Sequence, residues 1–371
     1  MYLINKIKRR KIKILSFFFR LRFFKKSKKS KKIILFFIPS EINSISGGLL
    51  SICSIFNETL KLKSIHGSDC YTVYLPQYTS YNYRYKQFKN DLVLFNLKYI
   101  IKRYKQIEKL EIQLPEIFIN SIIENNNKTE YFHSWIKKIG KENIKINILN
   151  QNDFLMSKNG ISLLKNITNN ITMTVAHEKY ASIEKRIEYD VPLHLISPWL
   201  TPTPYFFKTF NEKENLILFS PDEIENSIYK TPLKSIDIIN HLKNILPNYE
   251  FKIIKNIKYD DYKNLISKAK FVFTFGEGLD GYFVEPYFSG SISFAVKNNV
   301  FFNEKYNDFN TIFDSYEELL EKIENVISEL NNEATYNKRS KKIHEFFNTI
   351  YSLNKLNNNL KSYFVGDYDF K

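Results

Sequence analysis

An α/β protein with two doubly wound parallel sheets is the fold the sequence predicts, and three observations carry it. Short continuous apolar runs, of the kind a strand buried on both faces shows, alternate with stretches of helical periodicity along the chain. At 371 residues the chain exceeds one ordinary core and suggests two domains. A proline-rich stretch, PLHLISPWLTPTP at 192–204, falls near the middle. Its prolines remove backbone donors and hold the chain extended, so it reads as an interdomain hinge.

In chain order, the first strand is Ile33–Pro39 (IILFFIP), followed by a polar loop with Gly47 and Gly48 and a helix over LLSICSIF. Further strands are predicted at Tyr71–Leu75, Leu92–Phe95, Leu110–Leu114, Ile144–Leu149 and Ile171–Val175, with a helix over KYIIKRYKQIEK. Beyond the hinge the alternation resumes. Strands are expected at Leu216–Phe219, Phe251–Ile254, Phe271–Phe275 and Ile292–Val296. Helices are expected at 233–246, Asp260–Lys268 and Glu317–Leu330, with at least one more within 336–361. Strand–helix alternation of this kind gives parallel sheets covered on both faces. The expected division is a basic aromatic tail at 1–32, a Rossmann-like domain at 33–195 and a second at 196–335. Closing helices at 336–371 are expected to pack back on the first domain. Ligands of such sheets sit outside the carboxyl ends of the strands, here expected in a cleft between the two domains.

The net charge of +16 is concentrated in the tail: residues 1–32 carry fourteen Lys or Arg and no acid, which leaves about +2 for the rest. A nucleic-acid binder more often carries its charge on a folded face, so no nucleic-acid partner is expected. The tail interleaves Phe, Leu and Ile with its cations, a pattern suited to lying on an anionic membrane surface. Arg20 and Arg22 interrupt the apolar run well short of the roughly 20 residues of a spanning helix. A disordered basic leader is the plainer alternative. Cys53 and Cys70, without CxxC or a histidine cluster, indicate neither a disulfide framework nor a zinc site. A cytoplasmic protein, peripheral on the inner face of the membrane, is the expectation.

The most informative segment is FGEGLDGYFVEPYFSGSISFAV at 275–296. Glu277 and Glu285 are separated by seven residues, and Gly276, Gly278 and Gly281 surround the first. The apolar run FVFTF leads in, so the glycines form a strand-to-helix turn at the carboxyl edge of the sheet, with a helix from about Tyr282. Glycines there allow positive φ and close approach of a ligand, and the following helix offers free amides to a phosphate. Glu285 could accept hydrogen bonds from two adjacent hydroxyls, as a ribose presents them. On spacing alone, a plain glycine turn with Glu285 as an early helix residue explains the pattern as well.

This segment resembles the E-x7-E element of GT-B glycosyltransferases, especially retaining ones of the family 4 type. Gly278 matches the glycine after the first glutamate, Gly290 the glycine before the next strand, and KYDDYKNLISKAKFVFTFG the helix and strand leading in. The resemblance implies a nucleotide-sugar donor, with Glu285 on the ribose and Glu277 at the donor sugar. Gly276, Gly278, Asp280 and Gly281 would lie around the diphosphate. Lys230, in SPDEIENSIYK, is the cation available after the first strand of that domain, and Gly47 and Gly48 form the first domain's cleft loop. No cofactor and no metal are implied. The expected acceptor is a glycan or lipid-linked glycan of a bacterial surface polysaccharide, such as capsule or lipopolysaccharide.

His177, in TMTVAHEKY after a buried strand, reads equally as a catalytic group and as a packing histidine. An inverting transferase would draw its base from His177, Asp280 or Glu277. Gln113 and Glu116 are candidate acceptor contacts that read more simply as a surface loop, and His66, His133 and His194 as structural or exposed. Asp367-Tyr368-Asp369 matches a metal-binding D-x-D pattern without the strand that should precede it. The alternative of another class is a non-catalytic protein acting on membrane or nucleic acid through the basic tail.

Overall fold

The computed structural model describes residues 14, 18, 30–39, 46–75, 84–85, 87–90, 92–124, 129–198, 205–224 and 230–371. The tail expected at 1–32 lies outside these residues apart from Ile14, Phe18 and 30–32, and so does the second part of the hinge, 199–204. Among the described residues no helix is long and apolar enough to cross a membrane. The chain divides into two units: Met1–Pro202 with Leu353–Lys371, and Thr203–Ser352. Helix Glu333–Ile350 therefore belongs to the second unit, and the return to the first comes at Leu353 rather than at 336.

The first unit is built on seven parallel strands: β1 (Lys32–Phe37), β2 (Asp69–Tyr74), β3 (Leu94–Asn96), β4 (Lys109–Pro115), β5 (Ile144–Asn150), β6 (Ile171–Val175) and β7 (Leu193–Leu195). Their order is β3-β2-β1-β4-β5-β6-β7, so the winding reverses between β1 and β4. β1 is buried along its length after Lys32, as its unbroken apolar sequence requires. β7 lies inside the proline-rich stretch read as an extended connection, and pairs with β6 through Met173 and Leu193.

The strands β4 to β7 alternate instead. Register places Glu111 beside Lys145, Gln113 beside Asn147, Asn147 beside Thr172 and Thr174 beside His194, which is a polar row on one face. Buried polar groups must find partners, and here they find one another. Asn147 Nδ2 donates to Gln113 Oε1 at 2.7 Å and to Thr174 Oγ1 at 3.0 Å, while Thr172 Oγ1 donates to Asn147 Oδ1 at 3.0 Å. The closing helix Leu353–Val365 covers the row. Tyr363 Oη donates to Glu111 Oε1 at 2.6 Å, and Lys145 Nζ stands 4.0 Å from the centre of its ring. Beyond that helix, Phe370 forms an antiparallel bridge with Leu193, and Asp369 takes the Leu195 amide at 2.7 Å and His194 Nδ1 at 2.9 Å. The D-x-D pattern thus ends in a structural tether. Gln113, inside the strand predicted at Leu110–Leu114, is buried in β4 and belongs to no surface loop.

The second unit holds five parallel strands: β8 (Glu214–Phe219), β9 (Glu250–Ile253), β10 (Ala269–Phe273), β11 (Ile292–Val296) and β12 (Ile312–Phe313). Their order is β12-β11-β10-β8-β9, and the winding reverses between β8 and β10. Phe219, Phe273 and Phe294 stack across β8, β10 and β11 at 5.6 and 4.6 Å between ring centres. At the amino edge the buried Lys213 Nζ donates to Ser267 O, Ser289 O and Ser291 Oγ at 2.9 to 3.1 Å. Burial pushes its pKa down to about 7.

Removing the Tyr363 hydroxyl leaves Glu111 and Gln113 short of a partner inside the sheet face. Tyr363→Phe is expected to cost about 1–3 kcal/mol of stability, read as a lower urea midpoint at unchanged slope. An unchanged midpoint would mean that the polar row does not depend on the closing helix.

Candidate functional site at the carboxyl edge of the second sheet

A doubly wound sheet opens a crevice where its winding reverses, because the loops leaving the two central strands diverge to opposite faces. In the second unit those are the loops after β8 and β10. They are stitched together by backbone and side chain: Ser220 N donates to Phe273 O at 2.8 Å, and Ser220 Oγ accepts from Phe275 N at 3.0 Å. The predicted glutamate–glycine segment therefore lies at the switch point of its sheet.

Three of its features follow from local geometry. Gly278 has φ of 87°, and a Cβ there would stand 2.7 Å from Phe302 Cε2 and 2.8 Å from Val296 O, so no other residue fits. At Gly276 a Cβ would stand 3.0 Å from both Asp222 Oδ2 and Asp280 Oδ2. Asp280 caps the helix Gly281–Phe288: Oδ1 accepts from Phe283 N at 3.0 Å, and Oδ2 accepts from Thr274 Oγ1 at 2.7 Å. The helix thus begins at Gly281, one residue before the predicted start, and its first-turn amide is met by the chain's own carboxyl group.

Asp280 is held in an unusual state. Burial pushes its pKa up to about 7, and the nearby charges of Asp222 and Glu277 add to the rise against the Thr274 and Phe283 hydrogen bonds. Glu277 itself is exposed in the loop. Lys230 is exposed beyond 225–229, which lie outside the described residues.

Glu285 lies in the second turn of the same helix and is 4% exposed. Its Oε2 accepts from Tyr205 Oη and Tyr259 Oη, both at 2.7 Å, so the two hydroxyls that meet the buried carboxylate are the chain's own. Gly281, one turn earlier, leaves room for Oε1, which would stand 2.8 Å from a Cβ there. Lys263 Nζ packs 3.8 Å from the centre of the Tyr205 ring, and Tyr262 Oη donates to Gly281 O at 3.2 Å. Burial pushes Glu285 up to about 7, opposed by Lys263 and the two tyrosines, and pushes Lys263 down to about 8. The spacing of Tyr259, Tyr262 and Lys263 on one helix face was visible in the sequence. Tyr205, 80 residues before Glu285, gave no signal.

In the first unit, Gly47 and Gly48 are not loop residues but the opening of helix Gly47–Lys61, capped by Ser46 Oγ on Leu49 N at 3.2 Å. That helix starts at the carboxyl side of β1, beside the switch point. Ser51 Oγ donates to Gln151 Oε1 at 2.5 Å, and Gln151 N donates to Glu116 Oε2 at 3.3 Å. Glu116 is 6% exposed rather than a surface residue, and burial pushes its pKa up to about 7 against three backbone amides.

His177 follows β6, two strands from that switch point. Its ring meets Tyr180 edge-on at 5.7 Å, and burial pushes its pKa down to about 4, so it is neutral at pH 7. Such an imidazole is a weak base, poorly matched to general base work near neutrality. His66 closes a turn, accepting from Ser68 N at 3.0 Å on Nδ1. Among the described residues no group of three or more His, Cys, Asp or Glu is placed to hold a metal ion.

Two outcomes test this geometry. Gly278→Ala is expected to cost about 2–4 kcal/mol, from the left-handed backbone and the forced contact with Val296 O, read by urea unfolding. A loss under 1 kcal/mol would mean the turn relaxes freely. The second concerns pH. The folded-state pKa of Glu285 lies above its unfolded value, so folding takes up a proton between about 4.5 and 7. Its contribution is full below that window and is lost as pH rises through it. Glu285→Gln is therefore expected to narrow the fall in thermal midpoint between pH 5 and pH 8. An identical pH profile in the variant would show that the carboxyl is not held this way.

No family model and no curated protein matches the chain. Solved structures do. An α-glucosyltransferase in complex with UDP-glucose and DNA containing an abasic site superposes with a TM-score of 0.55 at 12% identity, over 85% of this chain and 95% of that one. A UDP-GlcNAc 2-epimerase from Neisseria meningitidis bound to UDP-GlcNAc gives 0.51 at 9% identity, over 91% and 99%. A glycosyltransferase from Rickettsia africae ESF-5 gives 0.50 at 13% identity, over 91% and 99%. At such identities the likeness speaks for the fold alone. Two Rossmann-like parallel-sheet units, alike in course to these structures over nearly their whole length, give the chain the GT-B fold of glycosyltransferases.

Proposed function

We propose that the chain is a glycosyltransferase that moves a sugar from a nucleotide-sugar donor to a glycan or lipid-linked acceptor. The observation that carries the reading is the position of the Glu277–Glu285 segment, whose glycine turn and capped helix stand at the switch point of the second sheet. Its fold neighbours with bound UDP-glucose and UDP-GlcNAc support a nucleotide-sugar as the donor class.

In this reading the donor's diphosphate lies against the turn from Gly276 to Gly281, and Glu277 reaches the donor sugar from the exposed side of the loop. Carboxylates at Asp222, Glu277 and Asp280 would repel a diphosphate if all were ionised. Asp280, with its pKa raised to about 7, relieves this by carrying a proton increasingly as pH falls below neutrality. Lys230 is the cation proposed to approach from the loop after β8. Glu285 receives the ribose hydroxyls in place of the tyrosine hydroxyl that leaves it, and Tyr205, which follows the hinge segment, is the partner placed to move. Retention of configuration is proposed from the sequence resemblance. The leaving diphosphate would then accept the proton of the incoming hydroxyl as the new bond forms on the same face. Inversion would need a separate base, and His177 is a poor one at its depressed pKa. A role in bacterial surface polysaccharide assembly, at the membrane's inner face through residues 1–32, belongs to the same reading.

The test is the thermal midpoint of the full chain with UDP, GDP, CDP and CMP in turn. A nucleotide at 100 times its dissociation constant stabilises by about 2.7 kcal/mol. One nucleotide is expected to raise the midpoint, and Glu285→Ala to lose that rise. No response to any nucleotide would remove the main support of the reading. The nucleotide that binds should also bind more weakly as pH rises from 6 to 8.5, by roughly tenfold, as Asp280 loses its proton. Asp280→Asn keeps a capping oxygen and is expected to flatten that dependence, whereas an unaltered dependence would place the titrating group elsewhere. Product analysis by NMR with the matching nucleotide-sugar then separates transfer from epimerisation, and retention from inversion.

A further inference from the structure

Lys213 is a buried cation that the site at the switch point does not use. It lies at the amino edge of the second sheet, directly before β8, and is 8% exposed. Burying an ammonium is costly, and a methionine of similar length would fill the space without that cost. Its Nζ meets three acceptors, as many as an ammonium has protons: Ser267 O at 3.1 Å, Ser289 O at 2.9 Å and Ser291 Oγ at 2.9 Å.

Two of these acceptors belong to the helices that surround Glu285. Ser267 is in the last turn of helix Tyr259–Lys268, and Ser289 caps the carboxyl end of helix Gly281–Phe288. Ser289 follows Glu285 by about one turn, and Ser267 follows Lys263 by about one turn and Tyr259 by about two. The two helices are therefore joined at two levels. Tyr259 Oη donates to Glu285 Oε2 at 2.7 Å, and Lys213 bridges the carboxyl ends about a turn further on. Ser291 extends that second tie, its Oγ standing 2.6 Å from Ile266 O and 2.7 Å from Ala269 O. A cation suits this place, because the last carbonyls of a helix lack amide partners and carry the negative end of its dipole.

We propose that Lys213 is a positioning residue for Glu285. By bridging the two helix ends it fixes the spacing at which Tyr259 holds the carboxylate ready for the donor's ribose. The inference rests on the reading of Glu285 as the ribose acceptor. Lys213 touches no substrate and acts through the two helices.

The experiment compares the full chain with Lys213→Met, Glu285→Gln, the two combined, and Lys270→Met. Lys270 is the control: it is 7% exposed at the same edge of the sheet, and its Nζ donates to Asn215 Oδ1 at 2.7 Å rather than to either helix end. UDP, GDP and CDP are titrated in turn by calorimetry, and thermal midpoints check that each variant folds. Lys213→Gln, which keeps two amide protons, serves the same comparisons if Lys213→Met does not fold. For the nucleotide that binds, Lys213→Met is expected to weaken affinity at least fivefold and Lys270→Met less than twofold. In the Glu285→Gln background Lys213→Met is expected to change affinity less than twofold, because its influence passes through that carboxylate. A loss that persists undiminished there, or no loss in Lys213→Met, overturns the proposal. Amide exchange of the empty chain gives a readout that needs no nucleotide. Lys213→Met is expected to speed exchange at least fivefold at 260–268 and 281–289 and to leave 316–330 as in the wild type. Unchanged exchange at those two helices overturns the proposal and leaves the donor reading intact. Faster exchange with no nucleotide bound by any variant removes the donor reading, and the ribose role of Lys213 with it.

Discussion

The carboxyl group of Asp280 divides its two oxygens between Thr274, at the end of β10, and the amide of Phe283, in the first turn of the next helix. That pair of hydrogen bonds closes the turn on itself and sets the direction in which the helix leaves the sheet. Gly278 can reach its left-handed conformation under Phe302 only because it has no side chain, and at Gly276 a side chain would crowd the carboxylates of Asp222 and Asp280. The helix direction in turn places Glu285 in its second turn against Tyr205, Tyr259 and Lys263. Removing the cap would affect the sheet edge, the loop and the buried carboxylate together. Burial and neighbouring acids raise the proton affinity of Asp280, so the element that shapes the turn also sets its charge near neutral pH.

The first unit solves a different problem. Its sheet carries Glu111, Gln113, Lys145, Asn147, Thr172 and Thr174 on one face, groups that are costly to bury alone. They are paired with one another and with Tyr363 from the closing helix, while Asp369 fastens the chain's end to β7. A purely apolar face would accept a helix in several registers. Specific hydrogen bonds accept one, which is how a segment 250 residues distant in sequence finds its place.

Much of this was legible because unbroken apolar runs such as IILFFIP and FVFTF have few alternatives to a buried strand. The turn at 276–281 was legible for the same reason, since glycines and carboxylates following such a run mark a strand's carboxyl end. β7 escaped because the prolines around Leu193–Leu195 suppressed the reading, although Pro192 and Pro198 lie outside the strand. Helix Glu130–Ile139 escaped despite Phe132, Trp135, Ile136 and Ile139 at helical spacing. The helix predicted over 98–109 stops at Arg103, and the remainder turns into β4. Asp280 was read as a diphosphate neighbour or a base, yet an aspartate directly before a helical run is also a capping signal. The partners of Glu285 and the burial of Glu116 depend on tertiary contacts, and nothing local in the sequence announces them.

The central proposal is that the turn from Gly276 to Gly281 receives the donor's diphosphate. Amide hydrogen exchange of the full chain, with and without the nucleoside diphosphate that stabilises it, tests this directly. The account predicts slowed exchange at the amides of 276–284, together with altered exchange around Tyr205 as its hydroxyl gives way at Glu285. Slowing confined to other segments, with these amides unchanged under saturating nucleotide, would contradict it.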